Sequence, residues 1–191
     1  MAYGRTNAGI SVSSEIFEIA ALSKLGQSPS YGGYIEALVE DDNYIYAGGG
    51  GAGTIRKYNK SNLSLVGESP DYGGTIYTLA EDDNYIYAGG WTTKTIRKYN
   101  KSNLSYVGQS PTYGGDIQTL VADDNYIYAG GYTPKTIRKY NKSNLSYVGE
   151  SPSYGGTIRT LVADDNYIYA GGETTNVISK YNKQKWGVIK K

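Results

Sequence analysis

Apolar and polar residues alternate along this chain in short runs, each cut off by a cluster of Asp, Asn, Gly, Ser or Pro. In residues 75–80, Thr75-Ile76-Tyr77-Thr78-Leu79-Ala80, β-branched and aromatic side chains predict a strand. Glu81-Asp82-Asp83-Asn84 predicts the turn that ends it. The pattern then predicts a second strand over Tyr85–Gly90, a loop over Trp91–Lys94, a third strand over Thr95–Tyr99 and a fourth over Leu104–Gly108. A helical reading fails, because Gly or an Asn/Asp/Ser turn interrupts each candidate helix within about eight residues.

The pattern repeats in constant phase. The string DDNYIYAGG starts at Asp41, Asp82, Asp123 and Asp164, and TIRKYNKSNL starts at Thr54, Thr95 and Thr136, with the looser VISKYNKQKW at Val177. Each step is 41 residues, with no insertion between Pro29 and Tyr181. Four short strands per period, repeated, is the unit of a β-propeller. The predicted fold is therefore all-β, a β-propeller of 41-residue four-stranded blades forming one domain over residues 1–191. It has a partial blade over residues 1–29 and full blades over 30–70, 71–111, 112–152 and 153–191. In the partial blade, Ile16–Ile19 aligns with the third strand, Leu22–Gly26 with the fourth, and Ala8-Gly9 with Ala88-Gly89, so the innermost strand is missing. A five-bladed ring with one depleted blade is the favoured reading. A four-bladed ring with an N-terminal extension and closure through a second chain are the alternatives, since an incomplete blade leaves an edge open to pairing.

Alternation on the second strand predicts that Ile86 and Ala88 face one neighbour while Tyr85 and Tyr87 face the other, with Ala88-Gly89-Gly90 letting blades approach closely. The acidic turn after the first strand, the small residues ending the second and the T-I-R-K-Y opening of the third resemble WD-repeat blades, in which T-I-K-[IL]-W occupies that last place. The resemblance covers residues 15–191 and implies blade architecture. The Trp-Asp and Gly-His pairs of true WD repeats are absent, so it implies nothing about partners. In style alone, the near-identical copies are similar to repeat propellers of bacterial and phage surface proteins.

Composition narrows the chemistry. With 19 basic and 18 acidic residues the net charge is +1, which argues against a nucleic-acid or anionic-membrane surface. The chain has no Cys and no His, which removes thiolate nucleophiles, cysteine metal clusters and the usual neutral-pH general base. No metal and no cofactor are expected, and the Asp-Asp-Asn repeats read as turns rather than calcium loops. The N-terminus lacks the apolar core of a secretory signal and no run approaches the roughly 18 apolar residues of a membrane span, so a soluble chain is expected. The N-x-S matches in the NKS and NLS strings carry no weight without such a signal.

Differences between copies point to one face. The turns after the first and third strands are nearly uniform, whereas the loop after the second strand opens with Gly50, Trp91, Tyr132 and Glu173 in turn. The first strand begins with Tyr34, Thr75, Asp116 and Thr157, and its third position holds Glu36, Tyr77, Gln118 and Arg159. These positions predict a varied binding mouth on a fixed scaffold, with Trp91 and Tyr132 as stacking anchors for a sugar or a peptide and Glu36, Tyr77, Gln118 and Arg159 as hydrogen-bonding partners. The repeated YGG tyrosines, Tyr31, Tyr72, Tyr113 and Tyr154, read either as one shallow aromatic pocket per blade or as covers for the seams between blades. Glu36 and Asp116 are the one carboxylate pair suited to glycoside chemistry, and no sialidase arginine triad or S-x-D-x-G-x-T-W box is present.

The expected function is a non-catalytic binding module for a glycan or a protein surface. The alternative is a structural component of a virion or surface assembly, or a recently amplified or engineered repeat scaffold, associating with its own copies through the incomplete blade.

Overall fold

A computed structural model describes residues 23–184 and 186. Fifteen strands and no helix occur among them. The first blade is β1 (Ile35–Glu40), β2 (Tyr44–Gly49), β3 (Arg56–Asn59) and β4 (Leu65–Glu68). The second is β5 (Ile76–Glu81), β6 (Tyr85–Gly90), β7 (Arg97–Asn100) and β8 (Tyr106–Gln109). The third is β9 (Ile117–Ala122), β10 (Tyr126–Gly131), β11 (Arg138–Asn141) and β12 (Tyr147–Glu150), and the fourth is β13 (Ile158–Ala163), β14 (Tyr167–Gly172) and β15 (Ser179–Asn182). Each is an antiparallel meander, with three sheets of four strands and one of three. The innermost strands β1, β5, β9 and β13 pack side by side in that order, which makes the chain a β-propeller repeat protein.

The fourth strand expected for the last blade lies outside the described residues, apart from Trp186, whose ring sits 5.5 Å from that of Tyr128. Most of the partial N-terminal blade lies outside them too. Its expected outer strand overlaps them at Ser23–Gly26, which carries no strand and leaves Leu25 exposed.

Turn chemistry explains where strands stop. At the first turn of every blade the aspartate accepts two backbone N–H bonds, as Asp82 does from Asn84 and Tyr85, each at 2.9 Å. At the second, the N–H of Leu63, Leu104 or Leu145 returns to the carbonyl of Asn59, Asn100 or Asn141 at 2.7–2.8 Å. Those three leucines adopt φ of 57–58°, a region non-glycine residues seldom enter. Leu104 and Leu145 are fully buried there, so packing holds the strained turn.

Two strand boundaries differ from the sequence reading. The third strand begins at Arg97 rather than Thr95, because the Ile96 N–H is satisfied by the Ser110 hydroxyl instead of the ladder. The fourth begins at Tyr106 rather than Leu104, since a residue with positive φ cannot lie in the pleat.

The core consists of the junctions between blades. Ile86 and Ala88 pack with Tyr46 and Ile55 of the first blade, whereas Tyr87 packs with Ile117, Leu120 and Tyr140 of the third. One strand thus feeds two cores, as its alternation predicts. At the centre of each junction a glycine receives an isoleucine. A Cβ on Gly48, Gly89 or Gly130 would stand 2.6–2.7 Å from Cγ2 of Ile76, Ile117 or Ile158. Burying these side chains removes apolar surface from water at roughly 25 cal/mol per Å².

Ile117→Ala should therefore lower unfolding free energy by roughly 2–5 kcal/mol. Gly89→Ala, which adds atoms at the same contact, should cost about 1–3 kcal/mol. Urea unfolding of both variants measures the two effects, and a neutral Gly89→Ala would refute the seat described for Ile117.

Candidate functional site

The residues that vary most between copies come from a backbone irregularity in the innermost strand. In the second blade Ile76 opposes Gly90 and Thr78 opposes Gly89, so Tyr77 is the extra residue of a β-bulge. Glu36, Gln118 and Arg159 are bulged in the same way. A bulge withdraws one residue from the ladder and re-aims its side chain. The second glycine of each AGG makes room, because a Cβ on Gly49, Gly90, Gly131 or Gly172 would strike the carbonyl oxygen of Tyr34, Thr75, Asp116 or Thr157.

The four bulged residues form a continuous row along adjacent inner strands. Arg159 donates from Nη1 to Gln118 Oε1 at 2.9 Å and from Nε and Nη2 to Glu173 Oε1 at 2.9 and 2.5 Å. Partial burial, together with Asp116, Tyr34 and Glu36 nearby, pushes the Tyr77 hydroxyl above its usual range, while Arg159 pulls the other way. Tyr34 and Thr75 hydroxyls meet at 3.5 Å on neighbouring blades. The row runs acid, phenol, amide, guanidinium, with half-buried Tyr77 and Gln118 between exposed Glu36 and Arg159.

Exposed aromatic rings stand beside this row. Trp91 and Tyr132 begin the loops after β6 and β10, and their N–H groups are tied to the Thr75 and Asp116 carbonyls at 2.9 and 3.1 Å. Their side chains are 54% and 60% exposed. The sequence reading placed Tyr34 among the varied positions but not among the stacking anchors; its ring is 59% exposed. In the first blade the loop residue is Gly50, and a Cβ there would overlap the Tyr34 ring. The aromatic therefore comes from the strand instead of the loop, and its one signal in the sequence is the paired exchange of Tyr34/Gly50 for Thr75/Trp91. In the fourth blade Glu173 takes the loop position and holds Arg159. The structure thus brings Trp91, Tyr132, Glu36, Tyr77, Gln118 and Arg159 to one mouth, together with Tyr34, Asp116 and Glu173 of the same varied positions.

The YGG tyrosines do not join them, and the reading as one shallow aromatic pocket per blade is corrected. Tyr31, Tyr72, Tyr113 and Tyr154 are buried. Their hydroxyls donate to the carbonyls of Thr54, Thr95, Thr136 and Val177 at 2.5–3.0 Å. Arg56, Arg97 and Arg138 guanidinium groups lie 5.3–5.6 Å from the first three ring centres. Rings with buried faces and bonded hydroxyls offer nothing to a ligand; these tyrosines cover the seams.

The opposite face holds concavities between blades. One of about 590 Å³ lies between the first two blades, lined by Asp41, Tyr44, Lys57 and Lys101 among others, and one of about 610 Å³ lies between the last two. Their charges are spent internally. Lys57, Lys98 and Lys139 sit 3.7–3.9 Å over the rings of Tyr44, Tyr85 and Tyr126. Each also donates across the junction, to the carbonyl of Lys101, Lys142 or Lys183 at 3.0–3.3 Å. Burial works against the charge of Asp82, but the Asn84 N–H, the Tyr87 hydroxyl, the Tyr85 N–H and Lys142 together outweigh it and hold the carboxyl below its ordinary range. These clefts are joints of the scaffold. No group of His, Cys, Asp or Glu able to hold a metal occurs among the described residues.

Comparisons with known proteins agree with the architecture. No family model matches the chain, and no curated protein matches it in sequence. Among solved structures it resembles the computationally designed Ika4 protein, with TM-score 0.73 and 16% identity over 84% of this chain and 98% of that one. It also resembles the designed Ika8 protein, with TM-score 0.68 and 16% identity over 78% of this chain and 45% of that one. The WD40 β-propeller domain of Doa1 gives TM-score 0.67 and 17% identity over 83% of this chain and 54% of that one. These likenesses place the chain among β-propellers, a fold used for binding and as a scaffold. No helix among the described residues is long and apolar enough to cross a membrane.

Two pH responses follow. Because Asp82 titrates lower folded than unfolded, the stability it contributes is present above about pH 4. It disappears as pH falls through the folded value, so thermal melts should hold steady from pH 7 to 5 and drop below 4. Asp82→Asn should cost about 1.5–3 kcal/mol at pH 7 and flatten that drop. At the alkaline end, burial pushes Tyr72 and Tyr140 up to about 12. Their contribution is full below pH 10 and fades between 10 and 12. Absorbance at 295 nm should show the buried class of tyrosines ionising only with unfolding.

Proposed function

We propose that this protein is a non-catalytic binding module whose mouth, built from Tyr34, Trp91, Tyr132, Glu36, Tyr77, Gln118 and Arg159, engages a carbohydrate or a peptide segment of a protein surface. The observation that supports this reading most is the bulge. Variation is concentrated at four residues lifted out of the ladder, beside three exposed rings, while the other face repeats almost unchanged. Exposed aromatic rings stack on the apolar faces of sugars, and a carboxylate, amide and guanidinium in one row supply both donors and acceptors for hydroxyl groups. Three rings on three blades also allow several weak contacts to act together, so that linkage raises overall affinity.

The same groups do not favour catalysis. Arg159 is committed to Glu173 and Gln118, and neither Glu36 nor Asp116 has a partner among the described residues that would prepare it as an acid or a base. A scaffold role without ligand is the second reading, and the resemblance to designed propellers favours it.

Glycan-array binding of the full chain, with Trp91→Ala and Tyr132→Ala beside it, separates the two. The expected outcome is dose-dependent binding to a limited set of glycans, weakened about tenfold or more in each variant without change in the thermal melt. Silence on the array, together with an unchanged Trp fluorescence spectrum when the same glycans are titrated in solution, would remove the carbohydrate reading.

A further inference from the structure

Each of the three junctions between blades is built from the same two halves. The earlier blade offers a glycine seat, a lysine from its third strand and the turn aspartate. The later blade offers an isoleucine and leucine from its inner strand, a turn carbonyl and a turn lysine. Thus Ile76 fills the Gly48 seat and Leu79 is buried beside it. Lys57 donates to the Lys101 carbonyl at 3.1 Å, and the Lys101 ammonium lies 3.7 Å from Asp41. At the next two junctions the Leu120 and Leu161 N–H groups also donate to the hydroxyls of Thr78 and Thr119, at 3.0 and 3.2 Å.

Among the described residues, the two ends of the arc carry these same halves without mates. On the first blade Leu38 is 62% exposed where Leu79, Leu120 and Leu161 are 6–7% exposed, and Ile35 is exposed where its counterparts are buried. On the fourth blade Ile178 is 80% exposed where Ile55, Ile96 and Ile137 are buried. Among the described residues, a Cβ on Gly171 would meet only Thr160 of its own blade, and none of them supplies its seat with the isoleucine that fills the other three. Thr160 is exposed, where Thr78 and Thr119 are buried. Among the described residues, Lys180 has no carbonyl to match those that Lys57, Lys98 and Lys139 reach, and Asp164 has no lysine to match Lys101, Lys142 and Lys183. The first blade supplies the missing mates: Ile35 and Leu38 for the seat, the Leu38 N–H for Thr160, the Lys60 carbonyl for Lys180, and the Lys60 ammonium for Asp164.

We propose that a second copy of this chain occupies these ends, the leading face of each copy docking on the trailing face of the other, so that two four-bladed arcs close one ring. The chain's own two ends do not meet, as the exposure of Leu38 and Ile178 shows. A second copy supplies both faces in full, with opposite charges at Asp164 and Lys60. A head-to-tail interface repeated around an axis forms a ring where the rotation closes.

Cysteine trapping tests this cleanly, because the chain has no Cys. Across the internal junctions a Cβ on the glycine lies 3.1–3.2 Å from the isoleucine Cβ, near the roughly 3.8 Å of a disulfide. Ile35→Cys and Gly171→Cys both change end faces and leave the internal junctions intact. The doubly substituted chain should oxidise to a species of twice the 20.7 kDa of one chain, reversed by reductant. The two single variants, mixed, should give the mixed disulfide. Native mass of the unsubstituted chain at micromolar concentration should show the two-chain species, and Leu38→Asp should abolish it while Leu38→Ile retains it. An intrachain disulfide at single-chain mass would mean a four-bladed ring closing on itself. Free thiols at single-chain mass would mean that residues 1–22 cover the ends or that they stay open. A ladder of higher masses would mean an open filament. Each of these three results overturns the proposal.

Discussion

Everything in this structure depends on a side chain from one sheet entering the space left by a missing side chain on the next. Ile76 on Gly48, Ile117 on Gly89 and Ile158 on Gly130 are the same contact three times. A single blade has two apolar faces and can cover neither, so its folding free energy resides in its neighbours. That dependence explains why the copies agree so closely at Ile, Ala, Gly and Tyr along the second strand. Each such residue has to fit the blade on one side, and its alternate neighbour in sequence has to fit the blade on the other.

The polar groups extend the same logic to the rim. Lysines of the third strand lie over tyrosine rings and reach carbonyls on the following blade, so that cations are held by ring faces and carbonyl oxygens rather than by carboxylates alone. Aspartates of the first turn are shared between their own backbone and a lysine next door. A face whose donors and acceptors already serve one another has little left for a ligand, whatever the volume of its clefts. The opposite face differs because its side chains leave the ladder at the bulges and face open space.

The architecture was legible in the sequence because a period of 41 and an alternation of two are both set by local residue types. Ile86 and Tyr87 could be assigned to different neighbours from their adjacency alone. The mouth was legible in part: unequal residues at equal phase marked Trp91, Tyr132, Glu36, Tyr77, Gln118 and Arg159. Tyr34 was marked as a varied position but not as a ring anchor, because that role depends on Gly50 across a hairpin, a pairing visible only once the register is known. The YGG tyrosines remained ambiguous for a similar reason. An aromatic beside two glycines can project outward or fold beneath a seam, and the outcome rests on the Thr95 carbonyl and the Arg97 side chain. Strand ends shifted where a side chain replaced a ladder partner, as Ser110 does for Ile96, since such substitution leaves no periodic trace.

The bulge at the third position of each inner strand has a consequence for how such a chain can change. Because that residue is excluded from the pairing register and from the packed junctions, its identity is constrained less by folding than that of its neighbours in the strand. Glu36, Tyr77, Gln118 and Arg159 differ in charge, size and shape, yet the strands that carry them superpose in register on their partners. Duplication of a period copies the joint faithfully and copies this position with it, after which single substitutions can diversify it at almost no thermodynamic penalty. The fold thereby keeps its architecture and its chemistry on separate letters of the same short strand.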